Sequence, residues 1–396
     1  MSEWQECKLR YLTSKIGSGS TPRGGSNNYK AAGISLIRSQ NVLDFSFTVS
    51  GLAFIDDEQA NELKGVTVKE NDILFNITGD SVARCCIVPS KYLPARVNQH
   101  VAIIRANDLS DYKFVFYYLQ FIKPELLINA EIGATRNAIT KVMLENLDIA
   151  LPPLPEQRAI ASILSSLDDK IDLLHRQNKT LEAMAEKLFR QWFVEEAGED
   201  WEDVRITELY DIKDGTHDSP KQKTIGKPLI TSKHILGNHL DIGNAYLISD
   251  EDFDKISRRS KVDKNDILIS MIGTIGLIYL EQSNNIDYAI KNIGLFKKSQ
   301  NIQWLAYTYF WLKSSLGRQF LDEHISGSTQ EYVSLASFRS IIFNKPPSEK
   351  LYAFNKIAND YLSKIGINSA QILTLEKMRD TLLPKLMNGE VRVDYV

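Results

Sequence analysis

Six histidines and three cysteines are the residues of this 396-residue chain with the greatest capacity for metal binding or nucleophilic chemistry. Their spacing favours neither. His234 and His239 are the closest pair of histidines in the sequence, and their separation is not typical of metal ligands. Cys85 and Cys86 are adjacent and have no C-x-x-C partner. The sequence also lacks a G-x-x-x-x-G-K-[ST] loop, an H-E-x-x-H pair and a G-x-S-x-G elbow. We therefore expect no catalysis and no metal site in this chain, and reduced core thiols.

Leu151-Pro152-Pro153-Leu154 shares only its prolines with the Asn/Asp-Pro-Pro-aromatic motif of amino-methyltransferases. It lacks the polar residue that would hold a target amine and the aromatic residue that would stack on the base. Any methyl transfer is therefore expected on another subunit.

Loops rich in glycine, serine and threonine could offer backbone N–H and hydroxyl groups to phosphates, as in residues 17–25 and 214–220. Basic residues cluster locally, at Lys213, Lys221, Lys223, Lys227 and Lys233, and at Arg258, Arg259, Lys261 and Lys264. For each loop an ordinary surface turn, and for each basic cluster a solvated face, is the simpler interpretation. The net charge of -3 gives no further support for nucleic-acid binding. If DNA is the ligand, part of the positive charge must come from a partner.

The elements that would position these loops recur at an offset of 194 residues. Asn71-Asp72-Ile73-Leu74 returns as Asn265-Asp266-Ile267-Leu268, and Gly133-Ala134-Thr135 returns as Gly327-Ser328-Thr329. Two copies are too few for a solenoid. The pattern predicts two similar globular domains, each followed by a helix, and recognition of something with two non-identical halves.

Each globular half is predicted to be mixed α/β. The predicted strands cover residues 72–77, 85–88, 101–104, 266–271 and 275–279, and the predicted helices cover 114–122 and 304–312.

Heptad spacing of apolar residues predicts the two long helices. The first seam is Ile160, Leu164, Leu167, Ile171, Leu174, Asn178, Leu181, Ala185, Leu188 and Trp192. The second is Phe354, Ala358, Tyr361, Ile365, Asn368, Ile372, Leu375, Arg379, Leu382 and Leu386. We expect the helices to pack antiparallel on each other, with Pro155 in the first turn of the first helix.

Asn178 and Asn368 are candidates for setting the register of the seams, since a buried asparagine finds one partner only. Exposure to solvent at a bend is the alternative. Leu173, Phe189 and Phe193 are expected to be more exposed than pairing within the chain requires, which favours a partner subunit, although core packing would explain them as well.

Composition is that of an ordinary globular protein of two or three domains, with 43% hydrophobic and 24% charged residues. No stretch reaches eighteen apolar residues, and the start lacks a basic region followed by an apolar run. We expect no membrane association and a cytoplasmic location.

The segment 151–158, Leu-Pro-Pro-Leu-Pro-Glu-Gln-Arg, followed by Ile-Leu-Ser-Ser-Leu-Asp-Asp-Lys-Ile at 163–171, resembles the specificity subunits of type I restriction-modification enzymes. The resemblance covers essentially the whole chain, although the second helix opens differently, at Pro346-Pro347-Ser348. It implies an α+β fold with a pseudo-twofold internal repeat. The implied segments are target recognition domain 1 (1–150), a central coiled-coil spacer helix (151–197), target recognition domain 2 (198–345) and a C-terminal coiled-coil spacer helix (346–396).

The resemblance also implies that each domain reads one half of an asymmetric, interrupted double-stranded DNA sequence, with the helices as a ruler for the gap. Two modification subunits would dock on the helices and bring S-adenosylmethionine for adenine N6 methylation. Restriction subunits would add ATP-driven translocation and Mg-dependent cleavage. This chain would hold no cofactor and would carry out no reaction itself.

Loop position and the resemblance give the DNA-contact candidates. Arginine pairs well with guanine, and asparagine or glutamine with adenine, whereas some candidates will contact phosphates or cap loops. In the first half they are Arg23, Arg38, Ser39, Gln40, Asn41, Thr135, Arg136 and Asn137. In the second half they are Thr216, His217, Lys221, Ser232, Lys233, His234, Thr329 and Gln330.

Two other classes of protein remain open from the sequence alone. A standalone two-headed DNA-binding regulator would share the reading domains but lack a docking surface. A structural adaptor that binds no nucleic acid would fit the slightly negative net charge.

Overall fold

The computed structural model describes residues 4–131 and 138–393. The chain forms two compact units: unit 1 comprises the residues up to Ile171 and those from Thr374 onward, and unit 2 comprises Asp172–Leu373. Each unit contains a globular part and lengths of two long helices, the central helix (Leu154–Arg190) and the C-terminal helix (Ser348–Met387). The units divide both helices, so the four sequence segments stay predictions.

Unit 1 is built on two four-stranded sheets and a short β-ribbon. Its strands are β1 (Gln5–Lys8), β2 (Thr13–Ser18), β3 (Ile34–Ile37), β4 (Ala53–Ile55), β5 (Thr67–Val68), β6 (Ile73–Asn76), β7 (Cys85–Ile87), β8 (Ala95–Val97), β9 (Val101–Ala106) and β10 (Asp148–Leu151). Its shorter helices are Asp57–Glu62, Tyr112–Phe121, Lys123–Glu131 and Lys141–Glu145. The sheets run β2-β9-β6-β7, wholly antiparallel, and β4-β3-β8-β5, in which β3 and β8 are parallel.

Unit 2 has shorter strands. They are β11 (Asp203–Arg205), β12 (Ile212–Asp214), β13 (Lys227–Ile230), β14 (Ile235–Leu236), β15 (His239–Leu240), β16 (Leu247–Ile248), β17 (Ile267–Ser270), β18 (Ile278–Leu280), β19 (Ala289–Ile290), β20 (Ile293–Phe296) and β21 (Ile342–Asn344). Its shorter helices are Ile206–Leu209, Asp250–Ser260, Leu305–Lys313, Ser315–His324 and Leu335–Arg339.

The strand orders confirm the internal repeat. Sheet β12-β20-β17-β18 of unit 2 repeats β2-β9-β6-β7 of unit 1, and β16-β13-β19 repeats β4-β3-β8, including its parallel pair. The ribbon β11-β21 repeats β1-β10. The strand predicted from residue 275 is wrong at its start, because Gly276 has a φ of +83° within a turn and β18 begins at Ile278.

The repeated Asn-Asp-Ile-Leu motif has a structural explanation. Asn71 and Asn265 have φ values of 65° and 71°, in the left-handed region that asparagine tolerates. Each following aspartate is buried and accepts a hydrogen bond from the backbone N–H three residues before it. Asp72 is also paired with Arg105 of β9 at 2.7 Å. The motif therefore closes a turn and ties the start of a strand to its neighbour.

The two long helices pair antiparallel within each unit, as predicted. In unit 1 the central helix buries Ile160 and Leu164 in one hydrophobic cluster with Leu386 of the C-terminal helix. In unit 2, Asn178 and Asn368 are 4% and 0% exposed, and Asn368 Nδ2 donates to Asn178 Oδ1 at 2.9 Å. Their part in setting the register stays a prediction.

The expected exposure of Phe189 and Phe193 is wrong. Both are buried, and their rings contact the rings of Tyr307 and Phe354 at centroid distances of 5.0–6.0 Å. The end of the central helix and the helical turn Gln191–Glu195 that continues it pack on the globular part of unit 2 as well as on the C-terminal helix. The buried stripe here is therefore wider than a two-helix seam. Leu173 is 37% exposed, as expected.

The start of the central helix is held by two buried polar residues. Glu156 is 0% exposed, pairs with Arg392 at 2.6 Å and accepts from Trp4 Nε1 at 3.3 Å. Gln157 accepts from Asp111 N at 2.9 Å. These contacts tie both ends of the described chain to the helix and explain the Pro-Glu-Gln opener. Across the described residues, no helix combines the length and apolar character needed to cross a bilayer.

Candidate nucleic-acid interface

In unit 1, four loops meet at one end of the two sheets. Strands β2, β3 and β6 end where the connection between β8 and β9 lies, because β3 and β8 are parallel while β2 and β6 are antiparallel to β9. We call residues 19–25, 38–41, 77–81 and 98–100 the unit 1 loop cluster. Thr78 Oγ1 lies 2.7 Å from His100 Nδ1, and Asn76 Nδ2 donates to Ser39 O at 2.9 Å.

The same topology assembles the unit 2 loop cluster, residues 215–221, 231–234, 271–276, 291–292 and 326–332. His217 Nδ1 lies 2.8 Å from Asn292 Oδ1. Ser326 and Tyr332 bridge to form a hairpin loop, which joins the cluster where Val333 N donates to Met271 O at 3.0 Å.

Equivalent glycines let both clusters close. Gly19 follows β2 and Gly215 follows β12, and a Cβ atom at either would collide with the carbonyl oxygen of Val97 or Ile290, respectively. Only glycine permits this approach of the loop to the end of β8 or β19.

The structure places four of the first-half candidates on or near the surface of the unit 1 loop cluster. Arg23 and Gln40 are exposed, whereas Arg38 and Ser39 are half-buried. Arg38 donates to the carbonyl of Gly51, and its guanidinium carbon lies 5.5 Å from the centroid of the Tyr29 ring. Thr135, Arg136 and Asn137 lie outside the described residues.

Asn41 and His234 are not placed to touch DNA, contrary to their selection as candidates. They are 0% and 1% exposed and occupy the same position in the repeat. Asn41 Oδ1 accepts from the backbone N of Arg38 at 3.0 Å, and His234 Nδ1 accepts from the backbone N of Thr231 at 2.9 Å. Each side chain caps its own loop, so these two residues position their neighbours.

Burial is the main reason why the pKa of His234 lies below its ordinary value. The neutral imidazole is thereby favoured, and because Nδ1 accepts a hydrogen bond, the proton lies on Nε2.

The remaining second-half candidates lie in the unit 2 loop cluster. Lys221, Lys233, Thr329 and Gln330 are exposed, the last two at the tip of the hairpin loop. Thr216 and Ser232 are half-buried, and Thr216 N donates to Ile290 O at 3.0 Å. The ring of His217 is exposed and its Nε2 lies 2.8 Å from the buried carboxylate of Asp214.

Sequence reasoning missed four residues that the loops bring to these surfaces: Gln99 and His100 in unit 1, and Arg259 and Asn292 in unit 2. A signal existed for Gln99, His100 and Asn292, because each lies in a polar connection of two or three residues between apolar strands. The signal for Arg259 is the basic cluster that it forms with Arg258, Lys261 and Lys264, which does not distinguish a loop contact from a solvated surface. Arg259 reaches the loops from a helix remote in sequence.

Together the two clusters present hydroxyl, amide, imidazole and cationic groups on short loops supported by rigid sheets. These groups donate and accept hydrogen bonds and can read base edges or hold phosphates. Within residues 4–131 and 138–393, no three His, Cys, Asp or Glu side chains are grouped to hold a metal ion.

The class defined by this fold is a duplicated recognition module with two related but non-identical loop surfaces. The profile of the type I restriction modification DNA specificity domain matches residues 1–183 and again 198–377. The chain therefore belongs to the family of type I restriction-modification specificity subunits, whose members recognise DNA.

Known specificity subunits are similar to this chain along nearly its full length. The type I restriction enzyme MjaIX specificity subunit of Methanocaldococcus jannaschii is 23% identical, over 99% of this chain and 94% of its own. The HindI specificity subunit of Haemophilus influenzae is 22% identical, over 99% and 100%. The crystal structure of the type I S subunit from M. genitalium shares the fold, with a TM-score of 0.56 at 16% identity over 100% of this chain and 97% of its own.

Proposed function

We propose that each loop cluster reads one half of an asymmetric, interrupted double-stranded DNA sequence. The observation that carries this proposal is that one fold, repeated, holds different side chains at equivalent loop positions. The connection 98–100 has three residues whereas 291–292 has two, and Ser18 at the end of β2 is replaced by Asp214 at the end of β12. Equivalent loops of different chemistry fit half-sites of different sequence.

The two long helices are the elements that would set the unread gap. The central helix has 37 residues and the C-terminal helix 40, which at 1.5 Å per residue correspond to about 55–60 Å of helix. A continuous helix holds its length, so the number of base pairs between the half-sites would be fixed.

Catalysis would belong to partner subunits. Two modification subunits would dock on the long helices, bind S-adenosylmethionine and methylate adenine N6, and restriction subunits would use ATP and Mg for translocation and cleavage. The net charge of -3 supports shared DNA binding, because a chain without surplus positive charge gains little from phosphate neutralisation. The assembly would act on DNA in the cytoplasm, and the free cysteines Cys7, Cys85 and Cys86 are compatible with that compartment.

The test is to co-express the chain with the modification subunit encoded beside it and to sequence N6-methyladenine in the host DNA. We expect a single bipartite, asymmetric methylated motif, which also gives the gap length. An unmethylated genome despite a well-formed complex would contradict the proposal.

Arg38→Ala tests the modular reading. It should weaken recognition of one half-site only, because Arg38 belongs to the unit 1 loop cluster. Arg10→Ala is the matched control: Arg10 is an exposed arginine of unit 1 that precedes β2, at the other end of the sheet, and donates to Asn146 Oδ1. Equal loss of both half-sites in Arg38→Ala would count against two independent reading heads.

A further inference from the structure

A buried carboxylate in unit 2 holds an exposed arginine at the edge of the unit 2 loop cluster. Asp214, at the end of β12, has a side chain only 6% exposed, whereas that of Arg259 is 56% exposed. Arg259 Nη2 donates to Asp214 Oδ1, and His217 Nε2 lies 2.8 Å from Asp214 Oδ2. One carboxylate thus contacts two side chains, His217 of the loop cluster itself and Arg259 of a helix remote in sequence.

Among the residues that the structure describes, this arrangement occurs in unit 2 and not at the equivalent position of unit 1. Arg259 comes from the helix Asp250–Ser260, which follows β16. The helix that follows the equivalent strand β4 in unit 1 is Asp57–Glu62, which is shorter and contains no basic residue. The position equivalent to Asp214 is Ser18. Unit 2 therefore has a charged contact for which the described part of unit 1 has no counterpart.

We infer that Arg259 is a specificity-determining residue that reads a guanine in the half-site of unit 2; this inference rests on the proposed function. Arginine donates in a bidentate manner to guanine O6 and N7. An arginine already held by a buried carboxylate loses less side-chain entropy on binding than a free one. Only Nη2 of Arg259 contacts Asp214, so the guanidinium keeps further donors for a base.

The charges around Arg259 favour a base over a phosphate. The cavity beside it, about 240 Å³, is lined by Asp218, Asp252 and Lys255 as well as Arg259. Lys255 lies 3.6 Å from Asp218, and Asp214 neutralises Arg259. Both cations that line the cavity are paired and Asp252 adds a negative charge, so the described lining residues carry no surplus positive charge; Lys291, whose Nζ donates to Ser219 Oγ, is a separate cation at the cavity edge. The neutral edge of guanine requires no surplus charge.

The test compares Arg259→Ala, Arg259→Lys and Arg258→Ala in the complex with the modification subunit. Arg258 is the matched control, since it is exposed on the same helix and carries the same charge. Binding is measured on duplexes that differ from the methylated motif at one base pair each. Arg259→Ala should reduce the preference for guanine at one position of one half-site by about 5-fold to 150-fold.

Arg259→Lys should lose most of that preference too, because lysine keeps the charge without the bidentate geometry. It also guards against a folding defect, since the charge beside Asp214 is retained. Arg258→Ala should leave the motif unchanged, and the position affected by Arg259 should lie in the half-site that Arg38→Ala leaves intact.

An unchanged motif in Arg259→Ala would overturn the inference and leave the proposed function standing. Uniform weakening on every duplex, with a smaller dependence of affinity on salt, would also overturn it, because that pattern marks a phosphate contact. A wild-type complex that prefers no motif would overturn the proposed function and this inference with it.

Discussion

Removal of the charge on Arg379 should destabilise unit 1 through the carboxylate left behind. Arg379 Nη1 lies 3.0 Å from Asp168 Oδ1, and the two side chains are 10% and 19% exposed. The other oxygen of Asp168 accepts from the hydroxyl of Tyr117 at 2.6 Å. Arg379→Met keeps an apolar side chain beside the ring of Phe45, whose centroid is 3.8 Å from the guanidinium carbon, but deprives Asp168 of its cation.

Loss of one partner of a fully buried ion pair costs about 3–5 kcal/mol. Asp168 keeps a little exposure and the hydrogen bond from Tyr117, so we expect about 2–3 kcal/mol at pH 7. Burial already raises the pKa of Asp168, and loss of Arg379 raises it further. When the pKa of a carboxyl group is higher in the folded than in the unfolded state, the folded state holds the proton more tightly. The resulting stabilisation is complete at a pH below the unfolded pKa and is lost as the pH rises through the folded pKa. The cost of the substitution should therefore shrink as the pH falls from 7 toward 4.

The assay is urea unfolding of Arg379→Met, Asp168→Asn and the double variant at pH 7 and pH 5, with amide hydrogen exchange to assign the change to unit 1. The double variant leaves no buried charge unpaired, because Asp380, which Arg379 also contacts at 2.9 Å, is 60% exposed. It should recover to within about 1 kcal/mol of wild type. A double variant as unstable as Arg379→Met, or a cost that does not change with pH, would refute the reasoning.

Three further outcomes follow from buried polar groups. Asn41→Ala should lower the stability of unit 1 by about 1–3 kcal/mol, measured by urea unfolding, because the carbonyl groups of Thr48 and Ser50 lose their shared donor. His234 has a lowered folded pKa, so stability present above pH 6.5 should fall as the pH drops through the folded value; His234→Asn should remove that part of the slope in unfolding measured between pH 7.5 and 5, and an unchanged slope would contradict this. Burial lowers the pKa of Lys298 to about 6, so the unfolded chain binds more protons between about pH 6 and 10 and stability should rise with pH across that window; Lys298→Met should flatten the rise, and parallel curves would show that Lys298 stays charged in the fold.

Elements whose burial depends on local periodicity could be predicted from the sequence. The long helices and the strands β6, β9 and β17 each bury a regular stripe or a continuous apolar run, which a sequence displays directly. The stripe at Phe189 and Phe193 could not be predicted by counting heptads, because heptad counting assumes one partner helix. There the central helix also contacts Tyr307, more than one hundred residues away in the sequence.

The sites resisted prediction for a related reason. Asn41 and His234 look like ordinary polar loop residues, and their burial depends on the sheet against which each loop folds. Aligning the two repeats would have set them apart, because both stand three residues after the residue whose backbone N–H they cap. Arg259 offers no such comparison, because the equivalent helix of unit 1, Asp57–Glu62, is shorter than the helix Asp250–Ser260 that carries Arg259.

The polar pairs of the long helices lie at positions whose equivalents in the repeat are apolar. Shifting Asp168 and Arg379 by 194 residues gives Leu362 and Ala185, and shifting Asn178 and Asn368 gives Ile372 and Leu174; all four are buried and apolar.

Each polar pair thus occurs once, and the equivalent positions of the repeat hold an apolar pair instead. If the two helices paired in a different alignment, a buried charge or amide would lie against an apolar side chain. This would cost free energy unless the polar group found another partner. Non-equivalent polar pairs therefore favour a single alignment of two similar helices. A protein that reads two different half-sites across a fixed gap requires that single alignment.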